Sequence, residues 1–402
     1  GGDISEARKL LIGSYFMFEY SAESAALFNP SILPHPDQSG LPKGSLRFLL
    51  SLRSTGEGHV SSISFRSGVI NAHNGISIDP PSRFLTEPEL IENSTYHKAL
   101  FGRKLAEMGL AGEWAERVMG RLGDFFNLKE LKHALMEVLQ ETAPGRNIGD
   151  HNTAKGLWLL ARSNYDIRFP PDQELSERII FPVTPIQSNG LEDVRLTAHR
   201  DEAGKTVYYA TYTAYDGRNV LPQLFETEDF RHFKFATLNG PGVRNKGMAL
   251  FPRKINGLFA MLSRQDGENI FLMYSDNVHF WNESRLILSP ARPWEFLKMG
   301  NCGSPLETEA GWLVLSHGVG PMRKYCLGAF LLDRDDPSKV IGRLRRPLLS
   351  PEGTEREGYV PNVLYTCGAL LRGAQLILPY GMSDRVTGFA VVPIDDILAA
   401  MA

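Results

Sequence analysis

The sequence predicts an all-β protein, a five-bladed β-propeller with an N-terminal helical segment and a helical insertion between the first and second blades. Three features predict it. The first is an internal repeat: Asp216-Gly217-Arg218-Asn219-Val220 is echoed by Asp266-Gly267-Glu268-Asn269-Ile270. A strand-like run precedes each copy, at residues 207–214 and 258–263. A matching aromatic end comes after each, Thr227-Glu228-Asp229-Phe230-Arg231-His232-Phe233 and Ser275-Asp276-Asn277-Val278-His279-Phe280-Trp281. The offset is 50 residues at the Asp-Gly turn and 48 at the aromatic end. Strand, turn, strand and aromatic plug at that period is how a propeller blade reads. The second feature is texture: from residue 164 to 393 short strands alternate with turn residues about every ten positions. The third is a set of weaker echoes at 48–65, 312–332 and 376–392, which bring the blades to five.

Along the chain, residues 1–28 mix Ala, Glu, Leu, Tyr and Phe at helix-compatible spacing and form the N-terminal helical segment. Residues 29–93 form the first blade, with strand-like runs at 45–52 and 58–65. Residues 94–163 are the helical insertion. Apolar residues recur three and four apart in Ala99-Leu100, Leu105 and Met108, and again in Leu131, Leu135 and Val138-Leu139. Thr142-Ala143-Pro144-Gly145 reads as a helix stop. Residues 164–402 hold the remaining blades.

Composition bounds the function. With 43% hydrophobic and 22% charged residues, the 402-residue chain has ample material for a large core. The net charge of −3 and the lack of a Lys/Arg-rich block argue against a nucleic-acid partner. No apolar run reaches membrane-spanning length. Cys302, Cys326 and Cys367 are odd in number and far apart, so neither a disulfide framework nor a metal site is expected and a reducing, cytoplasmic location is the simpler reading. The chain starts with Gly1-Gly2, which leaves a removed leading segment open.

The chemistry concentrates in Asn189-Gly190-Leu191-Glu192-Asp193-Val194-Arg195, between the apolar runs 179–183 and 207–214. Alone, such a string is most often a solvated turn with an internal ion pair. Its weight comes from a series of downstream motifs: Asn245-Lys246-Gly247-Met248-Ala249-Leu250-Phe251-Pro252-Arg253, Met261-Leu262-Ser263-Arg264, Lys298-Met299-Gly300, Gly311-Trp312-Leu313-Val314-Leu315-Ser316-His317-Gly318, Leu331-Leu332-Asp333, Tyr359-Val360-Pro361-Asn362-Val363 and Tyr380-Gly381-Met382-Ser383-Asp384. In order and spacing these motifs resemble those of glycoside hydrolase family 130, the mannoside phosphorylases and β-mannosidases. The likeness runs from about residue 163 to the end, with residues 29–67 as a first blade. Val194 replaces the proline of that family's Glu-Asp-Pro-Arg motif, and residues 94–163 lie outside its common core.

The resemblance implies roles. Asp193 matches the family's acid, whose proton travels through a sugar hydroxyl in a reaction that inverts the anomeric centre. A hydrolase needs a second carboxylate to activate water. A phosphorylase needs cationic donors for a phosphate that is already nucleophilic. At the family's phosphate positions stand Lys246, Arg264, Lys298 and His317, with Tyr325 nearby. Lys246 stands where one subgroup carries arginine. Asn29, Arg53, Asn362 and Asp384 match positions that hold the sugar. The implied reaction takes a β-mannoside and inorganic phosphate to α-mannose 1-phosphate and a shortened acceptor, with phosphate as co-substrate and no other cofactor. Two alternatives stay open: an inverting β-mannosidase with Glu355 or Glu357 as base, and a non-catalytic carbohydrate-binding propeller. The linkage, β-1,2 or β-1,4, stays open too. The helical segments are expected to cap the channel mouth or to mediate self-association.

Overall fold

The computed structural model describes residues 4–16, 20–91, 95–141, 148–218 and 220–401. Within them the chain is mostly β. Five antiparallel sheets of four to six strands succeed one another, with one further two-stranded pair in the helical block. The first sheet runs Ala26–Pro34, Leu46–Thr55, Ser61–Ile70, Ile76–Ile78. The second begins Leu191–Arg200, Thr206–Tyr215, Val220–Thr227, His232–Thr237, and the third runs Lys246–Leu250, Phe259–Arg264, Ile270–Ser275, Arg285–Leu288. The fourth is built on Lys298–Asn301, Gly311–Val319, Tyr325–Leu332 and Val340–Arg343. The fifth is centred on Gln375–Met382, with Leu364–Tyr365, Leu370–Arg372 and Val386–Pro393 beside it.

The core explains why the sheets stay together. One apolar cluster lies between each sheet and the next. Phe65 and Leu49 of the first sheet meet Phe225 and Phe233 of the second. Leu224 of the second meets Met248 and Met261 of the third. Leu262 of the third meets Val314 of the fourth, and Leu315 of the fourth meets Leu376 of the fifth. Ile377 of the fifth meets Phe48 of the first. Each sheet is thus apolar on two faces, and burying such residues at about 25 cal/mol per Å² is the main favourable term. The aromatic ends of the repeat take the expected place. Phe230 and Trp281 are buried in the clusters on either side of the second sheet. The Asp-Gly pairs are hairpin turns: Asp216 Oδ1 accepts from the Arg218 N–H, Asp266 Oδ1 accepts from the Glu268 and Asn269 N–H groups, and Gly217 and Gly267 take positive φ.

The boundaries differ from the expectation in three places. The first sheet starts at Ala26, not 29, because Ala26, Leu27 and Phe28 pair with Thr55, Ser54 and Arg53. Glu89–Ile91, placed in the first blade, pairs with Tyr165–Arg168 at the edge of the second sheet. Ile179–Ile180, placed beyond the insertion, pairs back with Ser61–Ile70. Residues 93 and 94 and the expected stop Thr142-Ala143-Pro144-Gly145 lie outside the described residues.

The helices Lys98–Glu107, Glu113–Gly120, Leu128–Glu141 and Ile148–Arg162 share their own core, in which Leu105, Leu131, Leu135 and Val138 follow the predicted spacing, whereas Ala99 and Met108 are exposed and Phe101, outside that pattern, is buried. Lys104 fastens this block to the second sheet's exit, donating to the Leu238 carbonyl at 3.0 Å. The N-terminal helix Glu6–Phe16 is exposed through residue 15. Among the described residues no helix is long and apolar enough to cross a membrane.

Candidate active site

The leading strands of the sheets converge on one cavity of about 560 Å³. Nine of the ten expected site residues line it: Asn29, Arg53, Asp193, Lys246, Arg264, Lys298, His317, Tyr325 and Asp384. Local backbone geometry aims them. The ladder slips between Phe28 and Ser31, between Glu192 and Arg195, and between Lys246 and Ala249. Inside each slip sits a left-handed residue: Asn29 (φ 49°), Asp193 (φ 56°) and Gly247 (φ 84°). Asn, Asp and Gly are the residue types that tolerate this conformation. In a regular strand neighbouring side chains face opposite ways. The bulge re-aims one of them, so Glu192 and Asp193 both face the cavity.

Asp193 sits among hydrogen-bond donors and cations. Its Oδ1 accepts from Asn29 Nδ2 at 2.7 Å and lies 3.6 Å from Arg53 Nη1. Burial pushes its carboxyl up, but Arg53, Arg195, Lys246 and the Asn29 amide together hold it below the usual carboxylate range. Arg195, from the same motif, is buried beneath. It donates to the Cys302 carbonyl at 2.6 Å, to the Asp193 carbonyl at 3.0 Å and to the Tyr365 hydroxyl at 2.8 Å. One guanidinium fork thereby joins the second, fourth and fifth sheets directly under the acid. Asp384 behaves oppositely. Burial, then the Asp193 charge, push its carboxyl up to about 6 against the pull of Arg53 and Arg323.

Two further cations, Arg264 and Lys298, line the same cavity. Among the described residues neither Arg264 nor Lys298 has a carboxylate within ion-pair distance, and Arg264 Nε is buried with no hydrogen-bond partner. Lys246 and Arg264 are register partners on adjacent strands. Like charges placed so cost stability, and the Glu192 carboxylate, 2.6 Å from Lys246 Nζ, offsets one of the two. His317 Nε2 lies 3.1 Å from Arg264 Nη1, and a guanidinium only donates, so Nε2 accepts. Burial first, then Arg264, Arg195 and Lys298, keep this imidazole well below its usual range and neutral. Gly300 pairs with His317 across the ladder. A Cβ there would lie 2.6 Å from His317 Cε1 and 3.0 Å from Arg264 Cδ, so only glycine leaves both side chains where they are. The Tyr325 ring stacks on His317 with centroids 6.0 Å apart.

Three expectations fare differently. Asn362 does not line the cavity. Its side chain accepts from Arg356 Nε at 3.0 Å and its carbonyl from the Tyr325 N–H, so it orders the loop beside Tyr325 instead. Glu355, the alternative base, accepts from the Tyr380 hydroxyl at 3.0 Å, Glu357 is exposed, and neither lines the cavity. Lys246, expected at the phosphate, is bonded to Glu192 at 2.6 Å.

Sequence reasoning missed several lining residues: Glu192, Asn245, Arg323, Tyr365 and the stacked rim pair His59–Tyr359. Asn245, His59 and Arg323 have positive φ, and an Asn before Lys-Gly was a readable signal for one of them. Among the described residues no cluster of His, Cys, Asp and Glu could hold a metal ion.

Comparison with known proteins places the chain among mannoside phosphorylases. A family model described as beta-1,4-mannooligosaccharide phosphorylase, of glycoside hydrolase family 130, matches residues 153–402. The 1,2-β-oligomannan phosphorylase of Thermoanaerobacter sp. (strain X514) is 36% identical over 228 residues, covering 53% of this chain and 74% of that protein. The β-1,2-mannobiose phosphorylase of Listeria innocua is 31% identical over 248 residues, covering 60% and 67%. In fold, the solved complex of the Listeria innocua enzyme with β-1,2-mannobiose superimposes with a TM-score of 0.56 at 22% identity, over 94% of this chain and 92% of that one.

Proposed function

Because this chain belongs to glycoside hydrolase family 130, we propose that it catalyses the inverting phosphorolysis of β-mannosides, giving α-mannose 1-phosphate and a shortened acceptor. The observation that carries this is the pair of cations with no carboxylate within ion-pair distance among the described residues, Arg264 and Lys298, beside neutral His317 in the cavity that also holds Asp193. The five sheets, each packed on the next and the fifth on the first, are the blades of a five-bladed propeller in this reading, with the cavity at the mouth of its axis.

The chemistry has two sides. A phosphate oxygen attacks the anomeric carbon from the face opposite the leaving oxygen, and the C–O bond to the acceptor breaks. Arg264 and Lys298 hold the phosphate and offset its charge. Phosphate also brings negative charge to His317, which favours the imidazolium and a further donor. Asp193 supplies the proton to the leaving oxygen through a sugar hydroxyl. Before substrates bind, Asp193 is ionised. A sugar that displaces water and a phosphate that offsets the cations both raise its proton affinity, which couples acid strength to the filled site. In this reading Asp384, Asn29 and Arg53, which line the same cavity, hold the mannose hydroxyls. The two carboxylates expected to serve the hydrolytic alternative, Glu355 and Glu357, lie outside the cavity, which favours phosphorolysis. The test is incubation with β-1,2- and β-1,4-mannobiose, with and without phosphate. Phosphate-dependent α-mannose 1-phosphate is expected; release of free mannose at the same rate without phosphate would overturn the reading.

A further inference from the structure

Glu192 joins two cations from different sheets. Its Oε1 accepts from Arg53 Nη2 at 3.0 Å and its Oε2 from Lys246 Nζ at 2.6 Å. Its side chain is 13% exposed, so breaking either pair leaves a poorly solvated charge. Lys246 is repelled from its other side by Arg264, its register partner. Without the bulge Glu192 would face away from Asp193; with it, two adjacent carboxylates share one cavity.

We propose that Glu192 is a positioning residue: it keeps Lys246 and Arg53 engaged on the acid's side of the cavity, so that Asp193 remains protonatable and phosphate is left to Arg264 and Lys298. This rests on the phosphorolysis reading above. The surroundings of the two acids give the reason. Arg53 from the first sheet, Arg195 from the same strand and Lys246 from the third sheet all act on Asp193. His59 on the first sheet's hairpin, Arg323 and His317 of the fourth sheet and Asp384 on the fifth sheet's hairpin are further titratable groups of the cavity, with Arg264 and Lys298 beside His317. Three cations around one carboxylate favour its charged form, and a permanently charged carboxylate donates no proton. Glu192 supplies the second negative charge to which two of those cations are bonded. Without it, Arg53 and Lys246 turn their full field on Asp193.

The experiment is the pH dependence of kcat for phosphorolysis. In Glu192→Gln the alkaline limb moves to lower pH by about one unit, turnover on that limb falls roughly tenfold, and KM for phosphate stays within about threefold. Lys246→Met moves the limb up. The double variant returns it towards the wild-type position, because the two residues act through one contact. An unmoved limb in Glu192→Gln overturns the proposal, as does a tenfold rise in phosphate KM with no shift, the signature of Lys246 serving the anion. If Glu192→Gln does not fold, Lys246→Met alone decides: a limb that stays in place overturns the proposal. A wild-type protein with no phosphate-dependent turnover removes the parent reading instead, which keeps the two failures apart.

Discussion

Replacing Arg264 with methionine probes the anion pocket most sharply. Methionine keeps the length of the apolar stem and removes the fork. A hydrogen bond to a charged group contributes about 1.5–3 kcal/mol. A guanidinium placing two of them on phosphate therefore contributes about 3 kcal/mol, and at 1.4 kcal/mol per tenfold that is a loss of roughly 100-fold in phosphate affinity. The structure adds a correction. Arg264 is one of the charges that keep His317 neutral. Without it the imidazole gains a proton more readily and returns some positive charge to the pocket, more at pH 6 than at pH 8. Initial rates against phosphate at fixed mannobiose should show KM for phosphate raised about 100-fold at pH 8 and distinctly less at pH 6. Thermal melting should be unchanged or slightly raised, since an unpaired cation opposite Lys246 has gone. A phosphate KM within threefold of wild type at both pH values would refute the assignment of this pocket to the anion.

The same geometry sets other outcomes. Asp193→Asn should lower kcat by about 10²–10⁴-fold; it should also lower the melting temperature at neutral pH, because a carboxylate held below its usual range stabilises the fold above about pH 4 and loses that contribution in acid. Asp384→Asn should do the reverse for stability. A carboxyl raised to about 6 costs nothing when protonated, costs progressively more as pH rises from about 4 to 6, and costs at most about 3 kcal/mol above that; the variant should melt higher at pH 7.5, equally at pH 4, and turn over poorly. Gly300→Ala should raise phosphate KM at least tenfold with little change in mannoside KM, because its Cβ collides with both His317 and Arg264. Glu357→Gln should leave phosphorolysis within twofold, since the side chain is exposed and outside the cavity; loss of activity there would reopen the hydrolytic base.

Much of this was legible in the sequence, and the reasons are local. The Asp-Gly repeat works because an Asp side chain closes the turn on its own following N–H groups, as Asp266 does with Glu268 and Asn269. The apolar spacing works in the helix Leu128–Glu141, where Leu131, Leu135 and Val138 are buried, because side chains three and four apart share a face. Edge pairing was not legible: two short strands, Glu89–Ile91 and Ile179–Ile180, cross the expected blade boundaries through contacts far apart in the chain. Glu192 was in view as a letter, but strand alternation would send it away from Asp193, and only the bulge reverses that. Asn362 shows the opposite error. It matches a sugar-holding position in order and spacing, yet its side chain accepts from Arg356 in the loop beside Tyr325 and does not line the cavity.

A crystal of this protein soaked with phosphate and mannose would test the central claim most directly. Anion density should bridge Arg264, Lys298 and His317, with the mannose between it and Asp193 and the Glu192–Lys246 pair intact. Anion density outside the cavity, or bound at Lys246 with Glu192 displaced and Arg264 left unpaired, would contradict it.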